Sequence, residues 1–440
     1  MSAFDLSLLP RTAAVDESGR VTVGGCDLAE LADRFGTPLY VYDEAELRAR
    51  CREYVDAFGA GRVAFAGKAA LFGAIVRIVS EEGLNLDVAT GGELHVALSA
   101  GFPADRIVFH GNNKSTEELR AGIAAGVRSI VVDSFDEIDR LESLLVAGHP
   151  PVSVLVRVTP GVQAHTHEFI ETGTEESKFG FALDRGMSHE AVARIHASPS
   201  LELSGVHCHI GSQVGRLDAH EAAATRMASF VADVERETGT TLIELSLGGG
   251  LGVRYVADDR PPSIAEYAKS LITAVGDALE QSGVRSRPAL TVEPGRSIAG
   301  PAGITLYRVG TIKRIDGVRT YVAVDGGMSD NPRPITYGAR YEAFLPARAR
   351  AQRSLTATVA GKHCEQGDLL VPDAALPADV AVGDVLAIPV TGAYAFSMAS
   401  NYNRLPRPAV VIVSDGTARV AVRRETYDDL VHLDVDAGNT

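Results

Sequence analysis

The stretch RVAFAGKAALFGAIVRIVSEEGLNLDV (residues 62–88) contains a strand, a helix and a second strand in succession. Its two ends, RVAFA (62–66) and LNLDV (84–88), are short apolar runs typical of buried strands. The segment between them carries apolar residues at helical spacing. Strands that alternate with helices in this way indicate a parallel sheet with helical connections.

The same alternation continues along the chain. It predicts eight strands, at residues 62–66, 84–88, 106–110, 129–134, 153–158, 203–209, 242–247 and 289–294. Eight strands with intervening helices predict an α/β fold, a TIM-like (β/α)8 barrel, over residues 46–297.

Beyond about residue 303 the apolar period changes from helical to two, and SDGT (414–417) is a hairpin turn signal. We therefore expect a second, all-β domain formed by residues 298–440. Residues 1–45 would join it, because chain termini often meet in space and the segments VTVGG and PLYVYD would add strands.

The composition excludes several classes of function. Among the 440 residues 45% are hydrophobic, and the formal net charge of -15 argues against nucleic acid or an anionic membrane as partner. The four cysteines, Cys26, Cys51, Cys208 and Cys364, lack the paired spacing of a disulfide framework or a zinc site. Because signal-peptide and membrane-spanning patterns are also missing from the sequence, we expect a cytoplasmic enzyme that acts on a small molecule.

Polar residues collect at the predicted C-terminal ends of the barrel strands, where barrels of this type hold their active sites. They are Lys68, Asp87, His110, Asp133, Arg157, His207, His209, Gly248, Gly249, Gly250, Glu293 and Arg296. The glycines after the seventh strand, joined by EPGRS (293–297) after the eighth, would expose backbone N–H groups where barrels commonly hold a phosphate. A glycine run alone is equally compatible with an ordinary tight turn.

Lys68 follows the first strand directly, between small apolar residues, in a chain with only six lysines. A lysine at a barrel mouth, desolvated enough to lower its pKa, is suited to form a Schiff base. The carboxylate of Glu293 could pair with a pyridinium nitrogen. A phosphate cradle, a Schiff-base lysine and this carboxylate together predict pyridoxal 5′-phosphate (PLP) as cofactor.

His207 and His209 support an alternative. Side chains alternate along a strand, so both imidazoles would face the barrel mouth as ligands of a metal-dependent hydrolase. Such an enzyme needs further ligands on later strands, and His220, His363 and His432 lie at no predicted barrel strand end. A flat imidazole stacked on a cofactor ring accounts better for His209, and His207 fits an ordinary core position as well. We expect no metal.

Eleven ordered motifs span nearly the whole chain. They are FAGKA (65–69), LDVATGGEL (86–94), HGNNKS (110–115), THEFIETG (166–173), SKFGF (177–181), GVHCHIGSQ (205–213), LGGGLG (247–252), EPGRSIAGPAG (293–303), VDGGMSDNPRP (324–334), GKHCEQGD (361–368) and TGAYAFSMASNYN (391–403). On these motifs the chain resembles the fold-type III PLP enzymes, whose fold is that of alanine racemase, and within them the diaminopimelate decarboxylases. Phe65 and Thr90 depart from the family's usual Tyr and Ser, at positions without a chemical role.

The resemblance implies a role for each matching residue. Lys68 would hold PLP, His209 would stack on its ring, and Glu293 would keep the pyridine nitrogen protonated. The further cofactor-binding residues would be Asp87, Ser212, Gly249, Gly250, Pro294, Gly295, Arg296 and Tyr394. The substrate-binding residues would be Arg296, Arg333, Tyr337, Glu365 and Tyr394.

Charge also predicts the substrate. Arg296 and Arg333 offer forked donors for a carboxylate, and Glu365 offers the opposite charge for an ammonium group. meso-2,6-Diaminopimelate carries both groups at its distal end, and its decarboxylation to L-lysine is the last step of lysine biosynthesis. An ornithine-, arginine- or lysine-type decarboxylase, which would need only the acid, is the nearest alternative. An amino-acid racemase would need a tyrosine in place of Cys364, and a non-catalytic homologue would not need Lys68.

Cys364 stands in GKHCEQGD between a basic pair and an acid. A thiol with such neighbours is a competent proton donor, because its pKa can lie near neutrality. In the resembling family this loop reaches the cofactor of the second subunit. We therefore expect a homodimer in which Cys364 and Glu365 complete a site across the two-fold axis.

Overall fold

The computed structural model describes residues 4–145, 149–162 and 177–435, so the motif THEFIETG (166–173) lies outside the described residues. The chain forms two compact units. The first comprises Arg50–Val253 and Arg260–Ser297, and the second comprises Met1–Ala49, Arg254–Asp259 and Ile298–Thr440. The segment Arg254–Asp259 belongs to the second unit, although the sequence places it within the barrel span.

The first unit is built on a parallel sheet whose strands follow one another in chain order. They are Ala64–Ala66, Asn85–Val88, Ile107–Phe109, Ser129–Val132, Val152–Thr159, Leu201–His207, Glu244–Ser246 and Ala289–Thr291. A parallel bridge between Val63 and Val292 joins the last strand to the first. The predicted (β/α)8 barrel is confirmed. One further short strand, Phe181–Ala182, pairs with the fifth barrel strand.

A helix follows each barrel strand. These helices are Gly73–Glu81, Gly91–Ser99, Thr116–Ala125, Phe135–Leu144, Met187–Ala197, Asp218–Thr238, Ile264–Ser282 and Arg296–Ala302. Side-chain caps fix where several of them begin: Oγ of Ser115 and of Ser263 each accepts a hydrogen bond from the backbone N–H of the glutamate three residues later, and the carboxylate of that glutamate accepts one from the serine N–H. Capped helix starts define the loops at the C-terminal ends of the strands, where the polar residues lie.

The second unit contains an eight-stranded sheet. Seven of its strands follow one another in the order Leu369–Leu376, Leu355–Ala360, Arg319–Val324, Gly303–Ile315, Leu39–Asp43, Ala409–Ser414 and Thr417–Val422. The eighth strand, Val385–Pro389, also pairs with Gly303–Ile315. The predicted all-β domain is confirmed. PLYVYD supplies the strand Leu39–Asp43, as predicted, and the last two strands form the predicted hairpin.

VTVGG supplies a strand of the second unit, but this strand lies outside the eight-stranded sheet. Val21–Val23 pairs with Ala14–Val15 and Cys26–Asp27 in a separate three-stranded sheet. Gly24 and Gly25 both have positive φ, 55° and 77°, so the chain turns back at once and pairs locally.

The remaining described helices are short or lie outside the barrel alternation. They are the α-helices Leu28–Phe35, Glu44–Phe58, Arg333–Tyr337 and Tyr427–Val431, and the 3-10 turns Leu6–Leu8, Gly67–Ala69, Ala104–Arg106, Pro346–Arg348, Phe396–Met398 and Tyr402–Arg404. Across the described part of the chain, every helix is too short or too polar to cross a lipid bilayer.

Candidate active site

Lys68 lies in the 3-10 turn Gly67–Ala69, directly after the first barrel strand. Its Nζ atom is 4.0 Å from Oδ2 of Asp87, a buried carboxylate of the second strand. The Lys68 side chain is 45% exposed, so the desolvation that the sequence predicted is not present. The turn carries the lysine beyond the buried end of the strand, which leaves an accessible amine beside a buried acid.

Glu293 follows the eighth strand and is buried among three donor groups. The hydroxyl of Ser246 donates to Oε1 at 2.9 Å, and His207 donates from Nε2 to Oε2 at 3.0 Å. Nε2 of His110 lies 3.2 Å from Oε1, and it is also 3.7 Å from Oδ1 of Asp87. The third, sixth, seventh and eighth strands thus converge on one carboxylate.

These neighbours decide the charge of Glu293. Burial alone would raise the pKa of this carboxyl, but His110 and His207 hold it well below its ordinary value. Burial also works against protonation of His110, yet Asp87 and Glu293 raise the pKa of His110. For His207 burial prevails and lowers the pKa. The result is an ionised carboxylate inside the barrel mouth, beside an imidazole, His110, whose pKa is raised.

Sequence reasoning placed His110 and His207 at the rim but did not assign them to Glu293, and it missed Ser246. His207 is buried, as a core position requires, and its Nε2 donates to the Glu293 carboxylate while Nδ1 has no hydrogen-bond partner among the described residues. The strand positions alone predict that these groups share a rim. Which of them meet across the barrel depends on its closed geometry, which a sequence pattern does not report.

His209 lies outside the sixth strand, which ends at His207. The alternation argument that put both imidazoles on one strand face is therefore wrong. Nδ1 of His209 accepts a hydrogen bond from the N–H of Gly249 at 3.2 Å. Burial, reinforced by the charges of Lys68 and Arg157, holds the pKa of His209 well below its ordinary value. His209 is thus a neutral, oriented imidazole with its proton on Nε2.

The glycines after the seventh strand make a close backbone approach that no other residue allows. A Cβ atom added to Gly249 would lie 2.3 Å from the carbonyl oxygen of Glu293, and one added to Gly250 would lie 2.5 Å from that of Gly211. Beside them the Arg296 guanidinium donates to Oγ of Ser212 at 2.9 and 3.1 Å. The loops therefore present glycine backbone without side chains next to the Ser212 hydroxyl and the Arg296 guanidinium. Such a surface is suited to bind a phosphate.

The same barrel mouth also offers metal-ligand chemistry. One ligand atom from each of His110, His207 and Glu293 lies within 4.8 Å of the other two. The metal alternative thus rests on a different set of residues from the pair His207 and His209 that the sequence suggested.

Comparison with known proteins decides the family. The family described as "Pyridoxal-dependent decarboxylase, pyridoxal binding domain" matches residues 44–300. Diaminopimelate decarboxylases of Mycobacterium tuberculosis and Bacillus subtilis are 49% and 47% identical over 435 and 428 residues, which are 97% and 96% of this chain and 97% of each relative. The chain belongs to the diaminopimelate decarboxylase family. A crystal structure of diaminopimelate decarboxylase from M. jannaschii in co-complex with L-lysine has a TM-score of 0.90 at 34% identity and covers 97% of this chain and 98% of its own.

Several residues that the sequence assigns to the substrate of a diaminopimelate decarboxylase lie in the all-β unit. The Arg333 side chain is buried, with its guanidinium 4.3 Å from the ring centroid of Tyr255 and a hydrogen bond from Nη1 to the Tyr341 hydroxyl. Tyr337 ends the short helix that begins at Arg333. The sequence analysis did not predict that Tyr255 and Tyr341 contact Arg333. Tyr255 comes from the segment Arg254–Asp259, which lies within the sequence span of the barrel.

The remaining predicted residues of a diaminopimelate decarboxylase site lie in loops of the same unit. Cys364 is exposed and the other three free cysteines are buried. Glu365 beside it is exposed as well. Tyr394 adopts a positive φ of 59°, which is uncommon for a residue other than glycine and marks a constrained loop.

Proposed function

We propose that this chain decarboxylates meso-2,6-diaminopimelate to L-lysine and CO2 with PLP as cofactor, in the cytoplasm. The observation that carries this proposal is the Glu293 carboxylate, which stays ionised in a buried position on the rim that also holds Lys68. A buried negative charge needs a cationic partner, and a protonated ring nitrogen is one.

The residues of the barrel rim fit PLP. The bare backbone at Gly249 and Gly250, with Ser212, Arg296 and the turn through Pro294 and Gly295, would hold the phosphate. Lys68 would hold the aldehyde carbon covalently, with the Asp87 carboxylate 4.0 Å from its amine. When bound, PLP supplies an electron sink for the bond between the substrate α-carbon and its carboxylate.

Each side chain then has a definite task. Glu293 would keep a proton on the ring nitrogen of bound PLP, and the neutral imidazole of His209 would stack on the ring. The Cys364 thiol gives its proton to the substrate carbon that has lost CO2, and the resulting thiolate recovers a proton from water. Arg296 and Arg333 bind the distal carboxylate with Tyr337 and Tyr394, and Glu365 binds the distal ammonium group.

Borohydride reduction of the holoenzyme is expected to fix the cofactor to Lys68, because its amine is the accessible one at the strand end. Peptide mapping by mass spectrometry locates the label. Lys114, which is buried, and Lys178 serve as internal comparisons. A pyridoxyl group found on either of them contradicts the assignment.

The substrate is tested by the product. With meso-diaminopimelate we expect L-lysine and CO2, and with ornithine, lysine or arginine we expect kcat/KM lower by at least about 100-fold, because Arg333 would be left without its carboxylate. A preference for ornithine would replace this proposal by its nearest alternative.

The cluster of His110, His207 and Glu293 supports a second candidate, a metal-dependent enzyme. Metal analysis of the purified protein and turnover after EDTA treatment separate the two. Turnover that depends on added divalent metal and not on PLP would favour the metal.

We further propose that the enzyme is a homodimer in which Cys364 acts on the site of the second copy. Inactive Lys68→Ala and Cys364→Ala dimers, mixed under exchanging conditions, should recover about a quarter of wild-type activity, since half the dimers become mixed and each has one intact site. Background activity in verified mixed dimers would show that Cys364 acts within its own chain or is only structural.

A further inference from the structure

The loop 361–368, which contains Cys364, is hydrogen-bonded to the neighbouring loop 325–331 through the buried carboxylate of Asp368. Oδ1 of Asp368 accepts a hydrogen bond from the N–H of Met328 at 2.7 Å. Oδ2 accepts one from the N–H of His363 at 3.0 Å and lies 2.8 Å from Nδ1 of the same residue. The backbone immediately before the cysteine is therefore held at a fixed place.

The imidazole of His363 is buried and stacked in parallel on the ring of Tyr402, with centroids 5.7 Å apart and planes 14° apart. A carboxylate oxygen accepts hydrogen bonds, so Nδ1 of His363 donates to Asp368. Among the described residues Nε2 has no hydrogen-bond partner. Packing alone would be served better by phenylalanine, because burying an unpaired polar atom is unfavourable, so the bond from Nδ1 is the reason for a histidine here.

A second contact fixes the backbone at the cysteine itself. The N–H of Cys364 donates to Oδ1 of Asn403 at 2.9 Å. Asn403 has a positive φ of 51° and follows Tyr402 directly, so one turn supplies both the ring under His363 and the acceptor for Cys364. The thiol is thus exposed while the backbone on which it stands is held from both sides.

We propose that His363 is a positioning residue for Cys364: its Nδ1–H bond to Asp368 and its stacking on Tyr402 hold the thiol in the orientation from which it delivers its proton. This role rests on the proposed function of Cys364. His363 itself touches no reacting atom, and it acts by limiting where the loop can place the sulfur.

Two substitutions separate the effect of the His363 hydrogen bond from the effect of its ring stacking. His363→Phe keeps a flat ring on Tyr402 and removes the donor, whereas His363→Asn keeps an N–H near the place of Nδ1 and removes the ring. In the holoenzyme we expect His363→Phe to lower kcat about tenfold with KM changed less than about twofold, and His363→Asn to stay within about threefold of wild type.

A double-mutant cycle distinguishes positioning from general damage to the fold. If His363 acts through the thiol, His363→Phe should change the residual kcat by less than about twofold in a Cys364→Ala background. An equal loss in both backgrounds overturns the proposal.

Iodoacetamide gives a readout that needs no turnover. Cys26, Cys51 and Cys208 are buried, so alkylation, checked by peptide mass, reports on Cys364. We expect His363→Phe to raise its rate at least about threefold because the freed loop exposes the thiol further. An unchanged alkylation rate together with wild-type kcat refutes the role of His363.

Asn403→Gly provides a second variant if His363→Phe does not fold. It removes the acceptor for Cys364 while glycine tolerates the positive φ, and it should raise the alkylation rate in the same way. Full turnover by Cys364→Ala would refute the catalytic role of the thiol, and the alkylation rates would still decide whether the loop is held as proposed.

Discussion

Glu293→Gln is expected to lower kcat by about 10²- to 10³-fold while the protein keeps its fold and its covalently held cofactor. Glutamine has nearly the same size, so Ser246 and the barrel strands keep their places. The change removes one negative charge from a buried site, where electrostatic interactions are stronger than in water.

The physical reason lies in the charge that the structure maintains. His110 and His207 hold the pKa of Glu293 well below its ordinary value against burial, so the wild-type carboxylate is available as an anion at neutral pH. A neutral amide cannot keep a proton on a ring nitrogen by ionic attraction, and the electron sink weakens accordingly. Steady-state kinetics, with cofactor content from absorbance, measures the loss.

Glu244 offers a matched control. It is a buried glutamate at the start of the seventh strand, and it accepts hydrogen bonds from Thr291 at 2.9 Å and Arg128 at 2.7 Å. Its carboxylate is therefore held by Thr291 and Arg128 and not by the groups that surround Glu293. Glu244→Gln should leave kcat within about twofold of wild type, although it removes the same charge. Equal losses in both variants, or none in Glu293→Gln, would contradict our account of Glu293.

The barrel was predictable because each strand combines a short apolar run with a helical segment behind it. The edge strand Leu369–Leu376 contains Pro372, and proline in a sheet is tolerated on an edge strand where one side needs no hydrogen bonds. A residue type that argues against a strand in the sequence is thus compatible with one particular place in the sheet.

The candidate site, like the fold, could be predicted only in part from the sequence. Lys68, Asp87, His209 and Glu293 were predicted from their places at strand ends, because the strand ends of a barrel share a rim. The partners of Glu293 depend on how far the closed barrel brings different strands together. The bond between Asp368 and His363 depends on a loop conformation, for which the sequence contains no periodic pattern.

Lys114→Met is expected to destabilise the barrel by about 3–5 kcal/mol, the range observed when one partner of a buried ion pair is removed. Lys114 follows the third strand and is almost fully buried, with Nζ 2.7 Å from Oε1 of Glu137. Nζ also donates to the carbonyl oxygens of Gly111 at 2.7 Å and Val131 at 2.9 Å. Three acceptors satisfy the ammonium group, so the pair is stable only while both charges are present.

Burial opposes both charges: it lowers the pKa of Lys114 and raises that of Glu137. Methionine fills a similar volume but leaves the Glu137 carboxylate without its cation, and Oε2 of that carboxylate also accepts the N–H of Asp133 at 3.0 Å. For a unit of this size, the loss corresponds to a fall of roughly 10 °C in the thermal midpoint of the barrel transition. Calorimetry of the holoenzyme measures it.

The double variant Lys114→Met/Glu137→Leu decides whether the unpaired charge causes the loss. Because replacing both partners removes the charge together with its counter-charge, we expect it to be more stable than Lys114→Met alone and to show a coupling of at least about 2 kcal/mol. Arg216 and Asp218 give the exposed comparison: Nη2 of Arg216 is 2.9 Å from Oδ2 of Asp218, but the two side chains are 80% and 58% exposed. Arg216→Met should cost no more than about 1 kcal/mol. Equal losses for the two single variants would show that distance, and not burial, sets the energy of these pairs.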